Sequence, residues 1–256
     1  MSQANAIAKA FGQLHKSGRP VLLANVWNIS SARTVAAIPS CKALATTSFG
    51  IARTIGTEDN KMTLDAHLEA LKPIAAVARE FDKPLTVDFQ SGYGSQLEEG
   101  IGKLINLGVS GANLEDCDND KQLMYSQEEA AARVQRTIKL ASSHGVPDFV
   151  LNARCDTLAN GGDFEDMLSH GKAYLSAGAS CVFVLPGPQR KLGVEDIQTM
   201  VEEFGGKLNI GWNPASAFSI KELAEAGVSR VSVGPGIQLR AMELVTKAAM
   251  TIMTSV

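Results

Sequence analysis

Residues 85–94 read Leu-Thr-Val-Asp-Phe-Gln-Ser-Gly-Tyr-Gly. A short β-prone run ends there at an acid, Asp88, and the glycines at positions 92 and 94 predict a loop immediately after it. A buried strand gains nothing from an unpaired carboxylate, because burying one is costly, so Asp88 indicates chemistry at the end of a strand. Residues 111–116, Gly-Ala-Asn-Leu-Glu-Asp, repeat the pattern. Two such strand ends side by side predict a cation site.

The order of elements along the chain is β-then-α, repeated eight times. Predicted strands lie at residues 21–26, 43–48, 85–88, 111–116, 149–154, 181–186, 208–213 and 230–235. Predicted helices lie at 31–38, 63–81, 97–107, 126–143, 194–204, 219–226 and from about 237, with another begun by Asp163 and an N-terminal helix at 3–16 that covers one end. The 256 residues, of which 45% are hydrophobic, could form one barrel or two smaller domains. Eight units without a linker favour a single (β/α)8 TIM barrel, an α/β fold with one domain over residues 1–256.

The composition excludes several classes of partner. A formal charge of −3 gives no basic face for nucleic acid. No apolar run reaches the roughly 18 residues that a membrane span needs, and the N-terminus lacks the apolar core of a secretory signal, so we expect a cytoplasmic protein. The cysteines follow no metal-type spacing and are expected to be reduced thiols: Cys41, Cys117, Cys155 and Cys181. The histidines fall in helices or at helix ends, which predicts surface positions for His15, His67, His144 and His170.

Closure of the barrel would bring polar side chains from several strand ends to one face. These residues are Asn28, Ser48, Asp88, Gln90, Glu115, Asp116, Arg154, Asn213 and Ser232. Oxygen ligands without His or Cys favour Mg²⁺ or Mn²⁺ over zinc. Arg154 could bind a carboxylate or a phosphonate. The alternatives are that the acids pair with lysines or cap loops, and that Arg154 forms an ion pair with Asp156 or Glu115.

Two loops are predicted near this face. The small residues at 49–52 follow the second strand, and their backbone N–H groups could bind an anion or could only form a tight turn. The polar segment 117–125 has no apolar period, so we expect it to be an exposed loop over the strand ends.

Three motifs in combination resemble one known group of enzymes. Asp-Phe-Gln-Ser-Gly-Tyr-Gly at 88–94 is followed by Asn-Leu-Glu-Asp at 113–116 and Asn-Ala-Arg at 152–154. The likeness extends over nearly the whole chain, through residues 25–28, 31–33, 56–59 and 227–232. As a combination these motifs are specific, and the sequence resembles the isocitrate lyase/phosphoenolpyruvate mutase superfamily.

The resemblance implies a (β/α)8 barrel, commonly a tetramer whose last helix is exchanged between neighbours, so we expect a homo-oligomer, either a dimer or a tetramer. It also implies Mg²⁺ (or Mn²⁺) that holds a small 2-oxo acid or its enolate. On this analogy Asp88 would contact the metal directly, while Asp59 and Glu115 would act through water. Gln90 stands beside them where the family has a second acid.

The resemblance also implies how the substrate is held. Backbone N–H groups near Ser48 and Phe49 would bind the substrate carboxylate, and Arg154 would hold the other acidic group. The remaining substrate-binding residues expected at these strand ends are Trp27, Gly50 and Asn213.

The sequence departs from the superfamily at several positions. The lyases carry Lys-Lys-Cys-Gly-His after the Glu-Asp pair and the mutases an Asn-Ser pair, whereas residues 117–125 read Cys-Asp-Asn-Asp-Lys-Gln-Leu-Met-Tyr. Cys117 lies too close to Glu115 to replace the lyase cysteine, and Asn119 is out of register with the mutase asparagine. Gln90 removes a negative charge near the metal, and Gly187 stands where the lyases have a glutamate.

Two functions remain open. The first is a Mg²⁺-dependent lyase or hydrolase with Asp88, Glu115 and Arg154 as catalytic residues. It would cleave a C–C or P–C bond beside the 2-oxo or 2-hydroxy group of a small dicarboxylate or phosphonate, through an enolate. The second is a non-catalytic or metal-poor protein that binds such an acid or serves as an oligomeric scaffold. The joint loss of the loop motif and of the acid at Gln90 favours the second function. The presence of Asp59 together with the three catalytic residues favours the first.

Overall fold

The computed structural model describes residues 2–118, 121–187 and 190–255. Within these residues nine strands form one parallel sheet, in the order β1-β11-β10-β9-β8-β5-β4-β3-β2. The strands are β1 Val21–Leu23, β2 Asn25–Val26, β3 Leu44–Thr46, β4 Leu85–Asp88, β5 Gly111–Glu115, β8 Val150–Cys155, β9 Cys181–Val184, β10 Leu208–Gly211 and β11 Arg230–Ser232. A separate antiparallel pair consists of β6 Cys117–Asp118 and β7 Leu123–Met124.

The sheet closes through its first strand. Only Ala24 separates β1 from β2, yet β1 pairs with β11 while β2 pairs with β3, so the two segments are halves of one interrupted strand. Counting them as one strand gives the eight strands of a TIM barrel, whose carboxyl ends share one face. The predicted (β/α)8 fold is confirmed.

Most helices alternate with the strands around the outside of the barrel, while the first and last have other positions described below. They are α1 Gln3–Gly12, α2 Ile29–Ala36, α3 Ser48–Thr54, α4 Leu64–Glu80, α5 Leu97–Asn106, α6 Gln127–Ser143, α7 Phe164–Ser176, α8 Val194–Glu203, α9 Ile220–Glu225 and α10 Gly236–Met253. Three of them begin at the predicted caps, since the side chains of Ser126, Asp163 and Ser219 each accept a backbone N–H three residues later.

The amino-terminal end of the barrel is closed by α1. Phe11 is fully buried and packs with interior side chains of several strands, in a cluster completed by Val21, Leu23, Ala43, Ala45 and Val150. Gly111 makes this packing possible, because a Cβ at that position would lie 2.4 Å from the Val150 carbonyl oxygen and 3.2 Å from the Phe11 ring. The opposite end of the barrel is therefore left to carry the polar site.

Three local predictions are wrong. Residues 49–52 belong to the helix α3 instead of a loop. Segment 117–125 contains the β6–β7 hairpin, in which Asp118 is buried, although Leu123 is exposed as expected; Asn119 and Asp120 lie outside the described residues. His67 is fully buried on α4 instead of lying at the surface.

The last helix, α10, has little contact with its own barrel. Gln238 is its one buried residue among those described, and apolar side chains further along are open to solvent, with Leu244 55% and Ile252 73% exposed. The four cysteines are free thiols, as predicted. No helix in the described part of the chain is both long and apolar enough to span a bilayer.

Candidate active site

Asp88, the last residue of β4, lies at the carboxyl end of the barrel. Its Oδ2 atom accepts hydrogen bonds from the backbone N–H and the hydroxyl of Ser48, both at 3.0 Å. Its Oδ1 atom accepts from the side-chain amide of Asn113 at 3.3 Å. Because Ser48 is the first residue of α3, the carboxylate also lies at the positive end of that helix. Neutral donors thus hold Asp88 without neutralising its charge.

Asp59 is tied to the loop that follows β4. The amide nitrogen of Gln90 donates to both the carbonyl oxygen and Oδ1 of Asp59, each at 2.7 Å. Gln90 adopts a left-handed backbone conformation with φ of 51°, which is uncommon outside glycine and aims the side chain at this acid. Burial raises the pKa of Asp59, and the nearby Asp88 carboxylate raises it further. Gln90 therefore orients an acid of the predicted metal set.

Arg154 forms an ion-paired network with two carboxylates. Its Nε and Nη2 atoms contact the two oxygens of Asp156 at 2.6 and 2.9 Å, and Nη1 contacts Glu115 Oε1 at 2.5 Å. The Glu115 pair follows from strand register, because Glu115 on β5 lies directly opposite Arg154 on β8. Burial alone would lower the pKa of Arg154, but the two carboxylates raise it above its ordinary value. Both ion pairs considered as alternatives from the sequence are present.

Four carboxylates surround one guanidinium, that of Arg154, at the carboxyl end of the barrel. They belong to Asp59, Asp88, Glu115 and Asp156. Burial raises the pKa of Glu115 despite its contact with Arg154, and the carboxylates of Asp88, Asp156 and Asp59 raise it further. Mutual repulsion among acids that share one arginine is a common property of active sites. The structure thus brings together Asp59, Asp88, Glu115 and Arg154, which are far apart in the sequence.

This cluster has the donor type that a hard divalent cation takes. Its donors are carboxylate oxygens, the ligand type that Mg²⁺ and Mn²⁺ prefer. Burial raises the pKa values of Asp59 and Glu115 and neighbouring carboxylates raise them further, and a cation between the acids would favour their charged forms. Among the described residues, the one group of three His, Cys, Asp or Glu side chains whose ligand atoms all lie within 4.8 Å of one another is Asp116, Cys155 and His170. A cation held by Asp88, Asp59 and Glu115 therefore stays a prediction.

The other predicted substrate-binding residues have separate contacts. Gly50 packs closely against Trp27, since a Cβ on Gly50 would lie 2.8 Å from the Trp27 Cβ. The Phe49 ring lies 5.0 Å from the guanidinium carbon of Arg53. Asn213 is exposed, and its side-chain oxygen accepts a backbone N–H within its own turn. Their roles in substrate binding stay predictions.

Two further residues at the site were not identified from the sequence. The hydroxyl of Tyr93 lies 2.7 Å from Nδ1 of His67, and Tyr93 has a left-handed φ of 59°. Burial raises the pKa of Tyr93 and the nearby acids raise it further, so its hydroxyl stays protonated. A signal for burial of His67 does exist, because it follows Leu64 by three positions and precedes Leu71 by four, which places it on the apolar stripe of α4.

A second polar cluster lies behind Asp156. Asp116 accepts a hydrogen bond from the Tyr174 hydroxyl at 2.7 Å and another from the backbone N–H of Asp156 at 2.8 Å. Its carboxylate lies within 4.8 Å of ligand atoms of Cys155 and His170, a donor set that could hold a metal ion. The hydrogen bonds of Asp116 show its present role, which is to fix the backbone that carries the partner of Arg154.

Cys117 does not supply a thiolate to the site. Burial raises the pKa of its thiol to about 11, and the carboxylates of Asp156, Asp116 and Glu115 act in the same direction. The thiol is therefore neutral near pH 7, whereas the reactive form of cysteine is the thiolate. This agrees with the expectation that Cys117 does not replace the lyase cysteine.

Three known proteins resemble this chain in sequence or in structure. A Mycobacterium tuberculosis (strain H37Rv) protein, itself uncharacterized, is 28% identical over 228 residues, which cover 88% of this chain and 81% of that protein. The crystal structure of a Burkholderia cenocepacia J2315 protein described as a phosphonomutase is 32% identical, covers 97% of this chain and 99% of that one, and superposes with a TM-score of 0.86. Oxaloacetate acetylhydrolase in complex with its product oxalate shares the fold, with a TM-score of 0.85 at 22% identity and coverage of 97% and 87%.

A family model described as phosphoenolpyruvate phosphomutase matches residues 11–253. This range contains the three motifs and all of the barrel strands. The chain therefore belongs to the phosphoenolpyruvate phosphomutase family, within the isocitrate lyase/phosphoenolpyruvate mutase superfamily.

Proposed function

We propose that this protein is a Mg²⁺-dependent enzyme that cleaves a C–C or P–C bond next to the 2-oxo or 2-hydroxy group of a small dicarboxylate or phosphonate. The observation that carries the proposal is the convergence of Asp59, Asp88 and Glu115 with Arg154 at the carboxyl ends of the strands. Lyases, mutases and hydrolases that act on small acids make up the superfamily, which supports an enzyme of this kind.

In this proposal the acidic residues hold the metal and the arginine holds the substrate. Asp88 would hold the metal directly, with Asp59 and Glu115 acting through water. When bound, Mg²⁺ supplies positive charge next to the substrate oxygen on which an enolate develops. Arg154 would hold the distal acidic group of the substrate. Its side chain is 21% exposed, and its planar guanidinium can bind an acidic group through two hydrogen bonds.

A second function, binding of a small acid without catalysis, is favoured by the contacts of Arg154 and Gln90. The guanidinium is already engaged by Asp156 and Glu115, and Gln90 offers an amide where the family has an acid. A protein of this second kind would bind such acids and turn over none of them.

A substrate screen with an active-site variant tests the enzymatic function. Oxaloacetate, phosphonopyruvate and substituted malates would be incubated with the protein and Mg²⁺, and product formation followed. We expect Asp88→Ala to abolish turnover of any substrate found while leaving the fold intact, because it removes the direct ligand. Glu69→Ala, an exposed acid on α4, is the control and should keep full activity. Unchanged rates in Asp88→Ala would contradict the assignment.

We also propose that the protein is a homo-oligomer in which α10 of one copy covers a groove on another. The outer faces of β1 and β11 are uncovered between α2 and α9, in a groove of about 880 Å³ whose lining includes Leu22, Val35, Val231 and Ala224. A helix that follows the last strand would ordinarily cover this region of its own barrel, but α10 leaves its apolar side chains in solvent. The exposed apolar side chains of α10 are complementary to the apolar residues that line the open groove.

A further inference from the structure

Arg230, on β11, is a cation buried inside the barrel and outside the acid cluster. Its side chain is 1% exposed. No carboxylate in the described part of the chain forms an ion pair with it, and its Nε and Nη1 atoms have no hydrogen-bond partner there. Burial lowers the pKa of Arg230 to about 10, so the guanidinium stays charged near neutral pH. A buried charge with few partners is a poor source of stability, which suggests another reason for an arginine at this position.

The hydrogen bond that Arg230 does make leads to Asp88. Its Nη2 atom donates to Oδ1 of Asn113 at 3.0 Å. Asn152 donates to the same oxygen at 2.9 Å. The amide nitrogen of Asn113 then donates to Asp88 Oδ1 at 3.3 Å. Asp88, Asn113 and Asn152 lie directly opposite one another on β4, β5 and β8, so strand register sets up this row.

The direction of the Asn113 amide follows from the chemistry of Arg230. A guanidinium can only donate hydrogen bonds, so the side-chain oxygen of Asn113 must face it. The nitrogen is then forced toward Asp88 as a donor. Asn152 cannot impose this direction, because an amide can present either its oxygen or its nitrogen. The ionised Asp88 carboxylate can only accept, so it favours the same direction of the amide, and Arg230 holds the opposite end of Asn113 in place.

We infer that Arg230 is a positioning residue that acts through Asn113 to hold the Asp88 carboxylate in the orientation needed for metal and substrate. The inference rests on the proposed function, in which Asp88 is the residue that contacts the metal. Groups that hydrogen-bond to metal ligands commonly control metal affinity and ligand orientation, and their loss lowers affinity or activity about 10- to 100-fold. Arg230 does not contact Asp88 itself. It contacts Asn113, which does, and would act on Asp88 through that residue.

The test measures binding of Mg²⁺ and oxalate by isothermal titration calorimetry. Mg²⁺ with oxalate carries no net charge, so losing the charge of Arg230 should alter its affinity little, and the affinity reports the orientation of Asp88. We expect Arg230→Met to weaken binding roughly tenfold. Asn113→Leu should do the same or more. The double variant should bind no more weakly than Asn113→Leu alone, because both substitutions remove the same contact to Asp88.

A matched control separates positioning from general destabilisation. Asn209 is buried in the barrel directly opposite Arg230 on β10 and bonds to Ser232 instead of Asn113. Asn209→Leu should lower the thermal midpoint while keeping the affinity for Mg²⁺ and oxalate. Wild-type affinity in Arg230→Met would overturn the inference. If that variant does not fold, Arg230→Lys keeps the charge on a shorter stem that ends short of Asn113, and wild-type affinity there would equally overturn it.

Failure of the proposed function would give a different result. If the wild-type protein does not bind Mg²⁺ and oxalate, the assignment of Asp88 as a metal ligand is wrong. The inference is then decided by crystal structures of the wild-type protein and of Arg230→Met. An Asn113 amide turned away from Asp88 in Arg230→Met would support positioning by Arg230. An unchanged contact between Asn113 and Asp88 in that variant would contradict it.

Discussion

Ionisable side chains at the ends of apolar runs can be recognised from the sequence alone. Asp88, Glu115 and Arg154 are predictable because each interrupts a buried strand, where a charge needs a partner or a function. What these groups contact is harder to predict. The amide of Gln90 meets Asp59 from 31 positions away, and Arg154 meets Glu115 only because β5 and β8 are neighbours in a particular register. Local sequence holds no information on such contacts.

The buried histidine of α4 makes a prediction about acid stability. Burial lowers the pKa of His67 to about 4, below the ordinary value of 6.5. Its stabilising contribution is therefore complete above pH 6.5 and is lost as the pH falls toward 4. At pH 5 the loss relative to pH 7 should be roughly 2 kcal/mol. His67→Gln should remove most of this difference, measured by urea unfolding at both pH values. His144→Gln, at an exposed position, is the control and should keep the wild-type pH dependence; an unaltered acid loss in His67→Gln would refute the argument.

Strands and helices are predictable where periodicity and caps agree, and less so where small residues dominate. The N-caps Ser126, Asp163 and Ser219 all begin helices as expected. The helix α3 is missed because Ser-Phe-Gly-Ile-Ala-Arg-Thr contains an internal glycine and too short an apolar pattern. The reason for Gly50 is tertiary, since a Cβ there would lie 2.8 Å from both Thr47 Cγ2 and Trp27 Cβ.

Adding that Cβ should disturb the helix that holds Asp88. In Gly50→Ala the new atom forces the start of α3 away from Trp27, and Ser48 moves with it. We expect a loss of roughly 1–3 kcal/mol in the free energy of unfolding, together with weaker metal binding. Gly12→Ala is a fitting control, because its Cβ would meet Val150 at an ordinary 3.6 Å. Equal stability of the two variants would show that the close contact at Gly50 is unimportant.

The barrel as a whole can be predicted by counting eight β-then-α units, whereas the position of the last helix cannot. The pattern at 236–253 indicates a helix, but nothing local distinguishes one that packs on its own barrel from one that extends to a neighbour. The exposed apolar side chains of α10 and the open groove over β1 become visible only in the folded chain. Assembly therefore has to be argued from the whole molecule.

The groove gives a test of assembly. Leu22 projects from β1 into the groove and is 50% exposed. Leu22→Asp should place an unpaired charge under the helix of the second copy and shift the protein to monomer, measured by light scattering after gel filtration. Leu123→Asp alters a similarly exposed leucine on the β6–β7 hairpin and should leave the assembly unchanged. An oligomer that survives Leu22→Asp, or a monomeric wild-type protein, would contradict the proposal.

Calorimetric titration of the wild-type protein with oxalate, in the presence and absence of Mg²⁺, tests the central claim most directly. Oxalate imitates the enolate of a small 2-oxo acid, and the proposed function places Mg²⁺ between this anion and the acids at positions 59, 88 and 115. The account predicts binding that requires Mg²⁺ and is lost in Asp88→Ala. No binding, or binding of equal strength without Mg²⁺, would contradict it.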